Sequence, residues 1–283
     1  MTTIPITPVL DRMAAVGLGE LVERAALQTR VDRKYLVPTE SLPRLLEQLR
    51  PLARVLDIDG ERTFRYESVY FDTPELVSYH CAAYRRRRRF KVRTRTYVDS
   101  AQCWLEVKIS GARGNITKHR LPYHPRDCGT VRPGRDFVEE ALGRESLGPA
   151  AGSDLDPVLV TDYHRTTLLL PDTDSRVTVD TGLIWRDPGS VLRLPGVAVV
   201  ETKSTSAATP VDRMLWQAGI RPARISKYAT GLAALRLDLP DAPWRRTLRR
   251  HFRAAAPSLR GAGSPLVPAT TLSHRSEQEA SCA

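Results

Sequence analysis

Polar and apolar residues alternate along much of the chain between residues 30 and 203. A period of two predicts β-strands, because successive side chains of a strand point to opposite faces of its sheet. About eight segments show this pattern: 30–37, 64–72, 84–98, 103–110, 115–121, 158–170, 175–185 and 191–203. The segment 111–114, with a glycine at each end, is suited to a hairpin turn between two of these strands.

Segments with helical spacing interrupt the strands. Leucines recur at helical intervals between residues 39 and 52, and Thr209 followed by Pro210 predicts the start of a helix that runs to Gly219. Two further helices are predicted over residues 136–147 and 226–237. Strands and helices together indicate an α+β fold.

The composition divides the chain into three parts. Residues 1–28 are expected to form a peripheral helical extension, and residues 29–239 to form one principal domain. Residues 240–283 are rich in Pro, Arg, Ala and Ser. We expect this tail to be basic and largely disordered, with a short helix around residues 244–254.

Within most predicted strands, charged residues occupy alternate positions and therefore lie on one face of the strand. The run Arg85–Arg89 passes into a strict alternation in which Lys91, Arg93 and Arg95 lie on one face and Phe90 and Val92 on the other. In an ordinary antiparallel sheet the charged face is turned to water. Here several amphipathic helices can cover the apolar faces instead, which predicts a closed eight-stranded antiparallel β-barrel with helices packed outside and a polar lumen. A lumen lined by Lys and Arg is costly unless water, a metal or an anion fills it.

The overall charge favours a polyanionic partner. The net charge is +11 and the isoelectric point is near 9.9, which is compatible with nucleic acid, anionic lipid or a phosphate-rich small molecule. The four cysteines have neither CxxC pairing nor zinc-like spacing. The chain has no pattern of a signal peptide and no apolar run of about 20 residues, so a soluble, cytoplasmic protein is expected.

An ordered series of motifs resembles the VTC domain of polyphosphate polymerases, within the triphosphate tunnel metalloenzyme (CYTH-like) superfamily. The series covers about residues 28–237 and reads RVDRKYLVP, SVYFDTP, FKVRTRTY, WLEVKIS, KHR, DYHRTTLLL, SRVTVDT, VVETKS and ISKYATG. The resemblance implies a tunnel that binds a nucleotide triphosphate and a divalent metal, Mn²⁺ or Mg²⁺. In such polymerases the terminal phosphoryl group of ATP passes to a growing polyphosphate chain.

The resemblance also implies roles for individual residues. Phosphate contacts are implied for Lys34, Arg93, Arg95, Lys108, Lys118, Arg165, Arg176, Lys203 and Lys227, and Glu201 is the leading metal ligand. We take Lys34, Arg93, Arg95, Lys203 and Glu201 as the candidate catalytic residues. Lys91, Arg120 and Arg65 complete the predicted substrate-binding set, and Glu106 and Asp180 are secondary metal candidates.

One departure from the family bears on the reaction. Tunnel phosphatases of this superfamily usually begin with ExExK, whereas this chain has Arg30-Val-Asp32-Arg-Lys34. The change favours a site with more positive charge and fewer metal ligands, and it argues against hydrolysis with two metals. A phosphate acceptor is already ionised at neutral pH, so the transfer requires no general base.

Three other functions remain open. The same tunnel could act as a triphosphatase on inorganic or nucleoside triphosphate, or as a non-catalytic module that binds polyphosphate. The basic run would also suit a nucleic-acid binder, which ranks last because no helix-turn-helix, zinc-finger or RNP-type pattern is present. The expected ligands are therefore ATP and polyphosphate. Fungal relatives join this domain to membrane segments, so a separate membrane-protein partner is compatible with the sequence.

Overall fold

The computed structural model describes residues 6–24, 31–111, 116–144, 154–204, 208–253, 255, 257–260 and 266–267. The strands are β1 (Ala14–Val16), β2 (Val31–Pro38), β3 (Arg54–Leu56), β4 (Phe64–Asp72), β5 (Arg89–Tyr97), β6 (Gln102–Ser110), β7 (Ile116–Tyr123), β8 (Asp156–Leu170), β9 (Ser175–Arg186), β10 (Ser190–Leu194), β11 (Val197–Ser204) and β12 (Ser258–Leu259). The α-helices are α1 (Thr7–Leu10), α2 (Leu18–Arg24), α3 (Leu42–Leu49), α4 (Val77–Ala83), α5 (Arg135–Arg144), α6 (Pro210–Gln217), α7 (Lys227–Leu235) and α8 (Arg245–Thr247).

The strands form an antiparallel sheet in the order β2-β11-β9-β8-β4-β5-β6-β7. The shorter strands β1, β3, β10 and β12 extend it at its margins. The predicted closed barrel is not confirmed, because β2 and β7 form no ladder with each other in the described residues. The backbone N–H of Ala223 instead donates to the carbonyl of Lys34 at 2.7 Å. The chain that follows α6 thus occupies part of the β2 edge at which a closing strand would pair.

The outer face of the sheet is apolar and carries most of the helices. Tyr35 and Val37 of β2 pack with the leucines of α3 and with Val211 and Leu215 of α6. Further along the sheet, the apolar residues of β5 and β6 pack with α5. The alternation seen in the sequence therefore separates a helix-covered outer face from a polar inner face, as predicted.

Helix α7 packs on the inner face at one end of the sheet. Tyr228 and Leu232 of this helix join a buried cluster with Tyr70, Tyr163 and Trp185, which belong to β4, β8 and β9. The approach is close at Gly231, where an added Cβ would lie 2.2 Å from the Trp185 ring. A glycine is therefore required for this packing. In consequence, α7 covers one end of the inner face.

Several helices begin where the sequence predicts. Thr209 caps α6 in a reciprocal capping box with Asp212. Helix α4 was not predicted, and it is anchored at its start by Asp72, the last residue of β4. Its carboxylate accepts the backbone N–H groups of Thr73, Ser78 and Tyr79. The predicted strand 191–203 is divided into β10 and β11 at Pro195-Gly196, where proline cannot donate to a ladder.

The described part of the C-terminal tail contains the short helix expected around residues 244–254, and this helix is packed on the core. A π-helix, Leu248–Phe252, continues α8, and Trp244 and Phe252 are buried beside α7. The interleaved arginines made this segment resemble a solvated tail in the sequence. In the described part of the chain, no helix combines the length and apolar content required to cross a membrane.

Candidate phosphate-binding site

The inner face of the sheet gathers almost all of the predicted site residues. We use "inner face" for the side chains that share a surface with Arg93. Its cations are Lys34, Lys91, Arg93, Arg95, Lys108, Lys118, Arg120, Arg165, Arg176, Lys203 and Lys227, and its carboxylates are Asp32, Glu106, Asp180 and Glu201. Strand register places these groups, since Lys34 pairs with Glu201 across β2 and β11. Cations therefore outnumber carboxylates on this surface.

Glu106 is the centre of the first charge cluster. Its buried carboxylate accepts from Arg93 Nε at 2.8 Å and contacts Lys118 Nζ at 2.6 Å, and Arg120 Nε lies 3.4 Å away. Burial alone would raise the pKa of Glu106, but Arg93, Arg95 and Lys118 together hold it well below its usual range. Glu106 is therefore ionised, and it fixes three basic side chains in place.

Asp180 is the centre of the second cluster. Arg165 donates to its two oxygens at 2.6 and 2.8 Å, and Lys227 contacts the same carboxylate. The fork of the guanidinium matches the two carboxylate oxygens, which makes this the most directional ion pair of the inner face. Burial would raise the pKa of Asp180, but Arg165 and Lys227 lower it. Lys227 belongs to α7, so this pair also joins the helix to the sheet.

Glu201 is held more loosely than the other two carboxylates. Its Oε1 atom lies 3.3 Å from Lys34 Nζ and 3.5 Å from Lys203 Nζ, and Lys203 is also 3.9 Å from Asp32. Burial acts to raise the pKa of Glu201, whereas the charges of Lys34 and Lys203 hold it well below its usual range. These contacts are longer than those of Glu106, so Glu201 retains more freedom to accept another cation.

Two lysines of the inner face, Lys91 of β5 and Lys118 of β7, have lowered pKa values. Lys91 donates to the Ser226 hydroxyl at 3.0 Å. Burial and the neighbouring charges of Lys108, Arg93 and Lys34 lower the pKa of Lys91 well below its ordinary value. Burial lowers the pKa of Lys118 to about 7, although Glu106 opposes this shift. Such lysines gain from an anion that supplies the missing negative charge.

Three tyrosines belong to the site and were missed as functional residues in the sequence. Arg93 donates to the Tyr70 hydroxyl at 3.2 Å, and Arg165 lies 5.1 Å from the centre of the Tyr66 ring. The ring of Tyr163 lies 4.3 Å from Lys227 Nζ. Strand parity could have found Tyr163, which precedes Arg165 by two positions, whereas Tyr66 and Tyr70 face the stripe of β5 through a strand pairing that the sequence does not show.

Several polar atoms of the inner face lack partners. In the described residues, no hydrogen bond is made by the buried hydroxyls of Tyr163, Ser68, Thr161 and Thr178, or by Arg95 Nε. Buried polar groups are normally satisfied, so a set of unpaired donors on one surface points to water or a ligand. A chain of phosphates offers acceptor oxygens to all of them.

Arg65 is the predicted site residue that the structure places elsewhere. It lies on the outer face of β4, where its guanidinium is 3.3 Å from Asp162 and about half of its side chain is exposed. Asp162 also binds Arg186 on that face, beside Glu67. After Tyr66, the segment 64–72 carries both polar and apolar residues at each parity, so parity could not identify its inner face. Arg65 is therefore not brought together with the other substrate-binding candidates.

The three metal candidates differ in how well they fit a divalent ion. The described residues contain no group of three or more His, Cys, Asp or Glu side chains suited to a metal. Glu106 and Asp180 already bind cationic side chains at short distances, so they do not fit. Glu201 does fit as a single carboxylate, because Mg²⁺-like ions commonly take one or two carboxylates and complete their shell with substrate phosphates and water.

Comparisons with known proteins support a family assignment. No curated protein matches the chain. The fold is similar to that of a putative adenylate cyclase from Bacillus halodurans, at 15% identity and a TM-score of 0.47, over 70% of this chain and 94% of that chain. It is also similar to a putative adenylyl cyclase from Hippeastrum with a dominant triphosphatase activity, at 15% identity and a TM-score of 0.46, over 71% and 94%. The VTC domain model matches residues 29–236. The chain therefore belongs to the VTC domain family.

Proposed function

We propose that the protein is a polyphosphate polymerase that transfers the terminal phosphoryl group of ATP to a growing polyphosphate chain on the inner face. The observation that carries the proposal is the excess of cations over carboxylates on one surface, together with the unpaired donors of Arg95 and Tyr163. A chain of linked phosphates supplies regularly spaced negative charge and acceptor oxygens. It is the ligand that this surface fits best.

The chain's own residues would act by positioning and charge. The loose transition state of phosphoryl transfer is stabilised mainly by cations on the phosphate oxygens and by in-line placement of the acceptor. Arg93, Arg95 and Arg165 suit paired contacts with phosphate oxygens, and Lys34 and Lys203 suit single contacts. Glu106 and Asp180 hold the arginines in place before substrate arrives, which lowers the cost of organising the site.

Glu201, with the substrate phosphates, would hold a divalent ion. When bound, such an ion neutralises charge on the phosphate oxygens. Lys34 and Lys203 lie beside Glu201. They would therefore contact the same phosphates from the protein side and keep them next to this carboxylate.

The arrangement of the carboxylates favours transfer to phosphate over transfer to water. Hydrolysis is helped by a base that orients or activates water, and on the inner face the carboxylates of Glu106, Asp180 and Glu201 are all paired with cations. A terminal phosphate of the growing chain is an ionised nucleophile and needs no base. A triphosphatase is the second candidate, because the same cations would bind inorganic or nucleoside triphosphate equally well.

A product assay tests the proposal. The purified chain is incubated with ATP and Mn²⁺, with and without chelator, and the products are resolved by gel and by chromatography. ADP together with a ladder of phosphate polymers is the expected result. Orthophosphate without polymer would instead identify a triphosphatase, and absence of any turnover with intact tripolyphosphate binding would identify a binding module.

Two variants sharpen the assay. Glu201→Gln is expected to abolish metal-dependent polymer formation while tripolyphosphate binding persists, and Glu75→Gln is the matched control because Glu75 is exposed on another part of the surface. Arg93→Gln with Arg95→Gln is expected to abolish tripolyphosphate binding. Duplex DNA binding that survives this double change, in a protein that does not bind tripolyphosphate, would support a nucleic-acid function.

A further inference from the structure

A second basic region lies outside the inner face, in a groove between α3, α6 and the π-helix. The groove has a volume of about 880 Å³ and is lined by Arg44, Arg221, Arg250 and His251 around an apolar floor that includes Leu45 and Ile220. No Asp or Glu is among its described lining residues. All the charged side chains that line the groove among the described residues are therefore positive.

The three arginines of the groove are free to bind a ligand. Arg44, Arg221 and Arg250 are exposed and make no ion pair or side-chain hydrogen bond within the described residues. Many other arginines of the molecule are engaged, as Arg12 and Arg50 are by Glu47. Three uncompensated guanidinium groups that converge on one concavity attract anions with several acceptor oxygens.

The basic face of the segment 245–253 extends the groove. Arg246, Arg249, Arg250 and Arg253 recur at helical spacing and are all exposed. The opposite side of this segment is buried through Trp244, Phe252 and Thr247. Since its apolar side is already used in the core, the segment cannot insert into a bilayer as an amphipathic helix does. The segment therefore exposes arginines whose backbone is held in place by the core, an arrangement that suits binding of a flexible polyanion.

The chain segment between α6 and α7 links residues of the groove to residues of the inner face. Arg221 lines the groove, Ala223 binds the β2 edge at Lys34, and Ser226 accepts the Lys91 ammonium. Arg224 is tied to the π-helix region, because its carbonyl accepts the Thr247 hydroxyl at 3.2 Å. A chain of phosphates that passes from Lys34 along this segment would meet Arg221 at the groove.

We propose that this groove, which we call the arginine groove (Arg44, Arg221, Arg250), is a second binding site for the phosphate polymer. It holds the part of the chain that has left the inner face. The proposal rests on the proposed function, because it takes the same polymer as ligand. The arginine groove then retains long phosphate chains, whereas short ones such as tripolyphosphate bind only to the inner face.

Binding of two ligands to the full-length chain tests this proposal. Tripolyphosphate reports on the inner face, and long-chain inorganic polyphosphate reports on both regions. The test variant combines Arg221→Gln with Arg250→Gln, and the control variant combines Arg126→Gln with Arg132→Gln, two exposed arginines that line neither region. Both variants lose two positive charges. Each affinity is measured at several salt concentrations.

The expected result is a length-selective loss in the test variant. Its affinity for long-chain polyphosphate falls, and the slope of log affinity against log salt becomes shallower by about two, one unit for each phosphate contact removed. The ratio of long-chain to tripolyphosphate affinity stays at the wild-type value in the control variant. Equal long-chain affinity in the two variants overturns the proposal.

Other polyanions provide the competing outcome. The same proteins are tested with vesicles that contain phosphatidylglycerol and with a DNA duplex. Loss of vesicle or duplex binding in the test variant, with long-chain binding unchanged, overturns the proposal in favour of that partner. Failure of the wild-type chain to bind tripolyphosphate would count against the inner face instead, so the two proposals can fail separately.

Discussion

Replacing Glu106 by Gln separates two roles that a buried carboxylate on the inner face can have. In the structure this carboxylate neutralises Arg93 and Lys118 and is 2% exposed. If that is its role, Glu106→Gln leaves cations facing one another without their counter-charge. The folded protein then loses stability, while the surface becomes more attractive to anions.

The magnitudes follow from the geometry. Removing one partner of a fully buried ion pair costs roughly 3–5 kcal/mol. Water can reach Lys118 and Arg120, whose side chains are 40% and 38% exposed. We therefore expect a loss of about 2–3 kcal/mol in the free energy of unfolding. With an assumed separation of about 8 Å and an effective dielectric constant of about 40, one phosphate charge gains about 1 kcal/mol, or roughly fivefold in affinity.

Urea unfolding and calorimetric titration with tripolyphosphate in the presence of chelator measure both effects. Glu75→Gln is the control, because that exposed carboxylate is expected to change neither quantity. The reasoning is refuted if Glu106→Gln is as stable as the wild type, or if it binds metal-free tripolyphosphate more weakly. A change in the Mn²⁺ requirement alone would show that Glu106 is a metal ligand.

Three further predictions concern other parts of the fold. Burial lowers the pKa of Lys118 to about 7, so this lysine loses its charge as pH rises through 7. The affinity for tripolyphosphate should therefore fall more steeply with pH in the wild type than in Lys118→Arg, as calorimetry at several pH values can show. Burial raises the pKa of Glu67 from 4.5 to about 7, so the stability that protonated Glu67 contributes is present below pH 4.5 and is lost as pH rises towards 7. In urea unfolding, the stability of Glu67→Gln should therefore not fall over this pH range. The same pH profile in the variant and the wild type would contradict the raised pKa of Glu67. Gly231→Ala should cost about 1–3 kcal/mol, since its Cβ would meet the Trp185 ring at 2.2 Å. Gly143→Ala, also in a helix but with no neighbour within 4 Å, should instead raise stability by up to about 1 kcal/mol, as thermal unfolding of both variants can show.

The alternation of charged and apolar positions predicted the inner face, because the apolar side of each strand has to be buried beneath the helices. The charged side of the same strand must then face the other way. In β5, Val92 packs beneath the helices, so Arg93 must point to the other side. The same reasoning holds for Lys203 and Thr202 of β11. A local period of two was sufficient for these positions, without knowledge of the neighbouring strands.

The pairing of the charges could not be predicted in the same way. Which cation meets which carboxylate depends on strand order and register, as for Arg165 and Asp180 in β8 and β9. The inner position of α7 depends on Gly231 and Trp185, residues far apart in the sequence. The expected disorder after residue 240 ignored Trp244 and Phe252, because their burial needs a surface formed by distant segments.

The lowered pKa values of Lys91 and Lys118 indicate what the inner face lacks without ligand. A lysine whose charged form is disfavoured by burial and by like charges destabilises the fold as long as it stays protonated. Phosphate offsets both causes, because it brings negative charge and hydrogen-bond acceptors to the same atoms. Ligand binding should therefore raise both pKa values, take up protons and stabilise the protein, whereas the helix-covered outer face maintains the fold in the absence of ligand. On the proposed function, the charge excess that makes the unliganded site unfavourable is thus the same property that would attract a chain of phosphates.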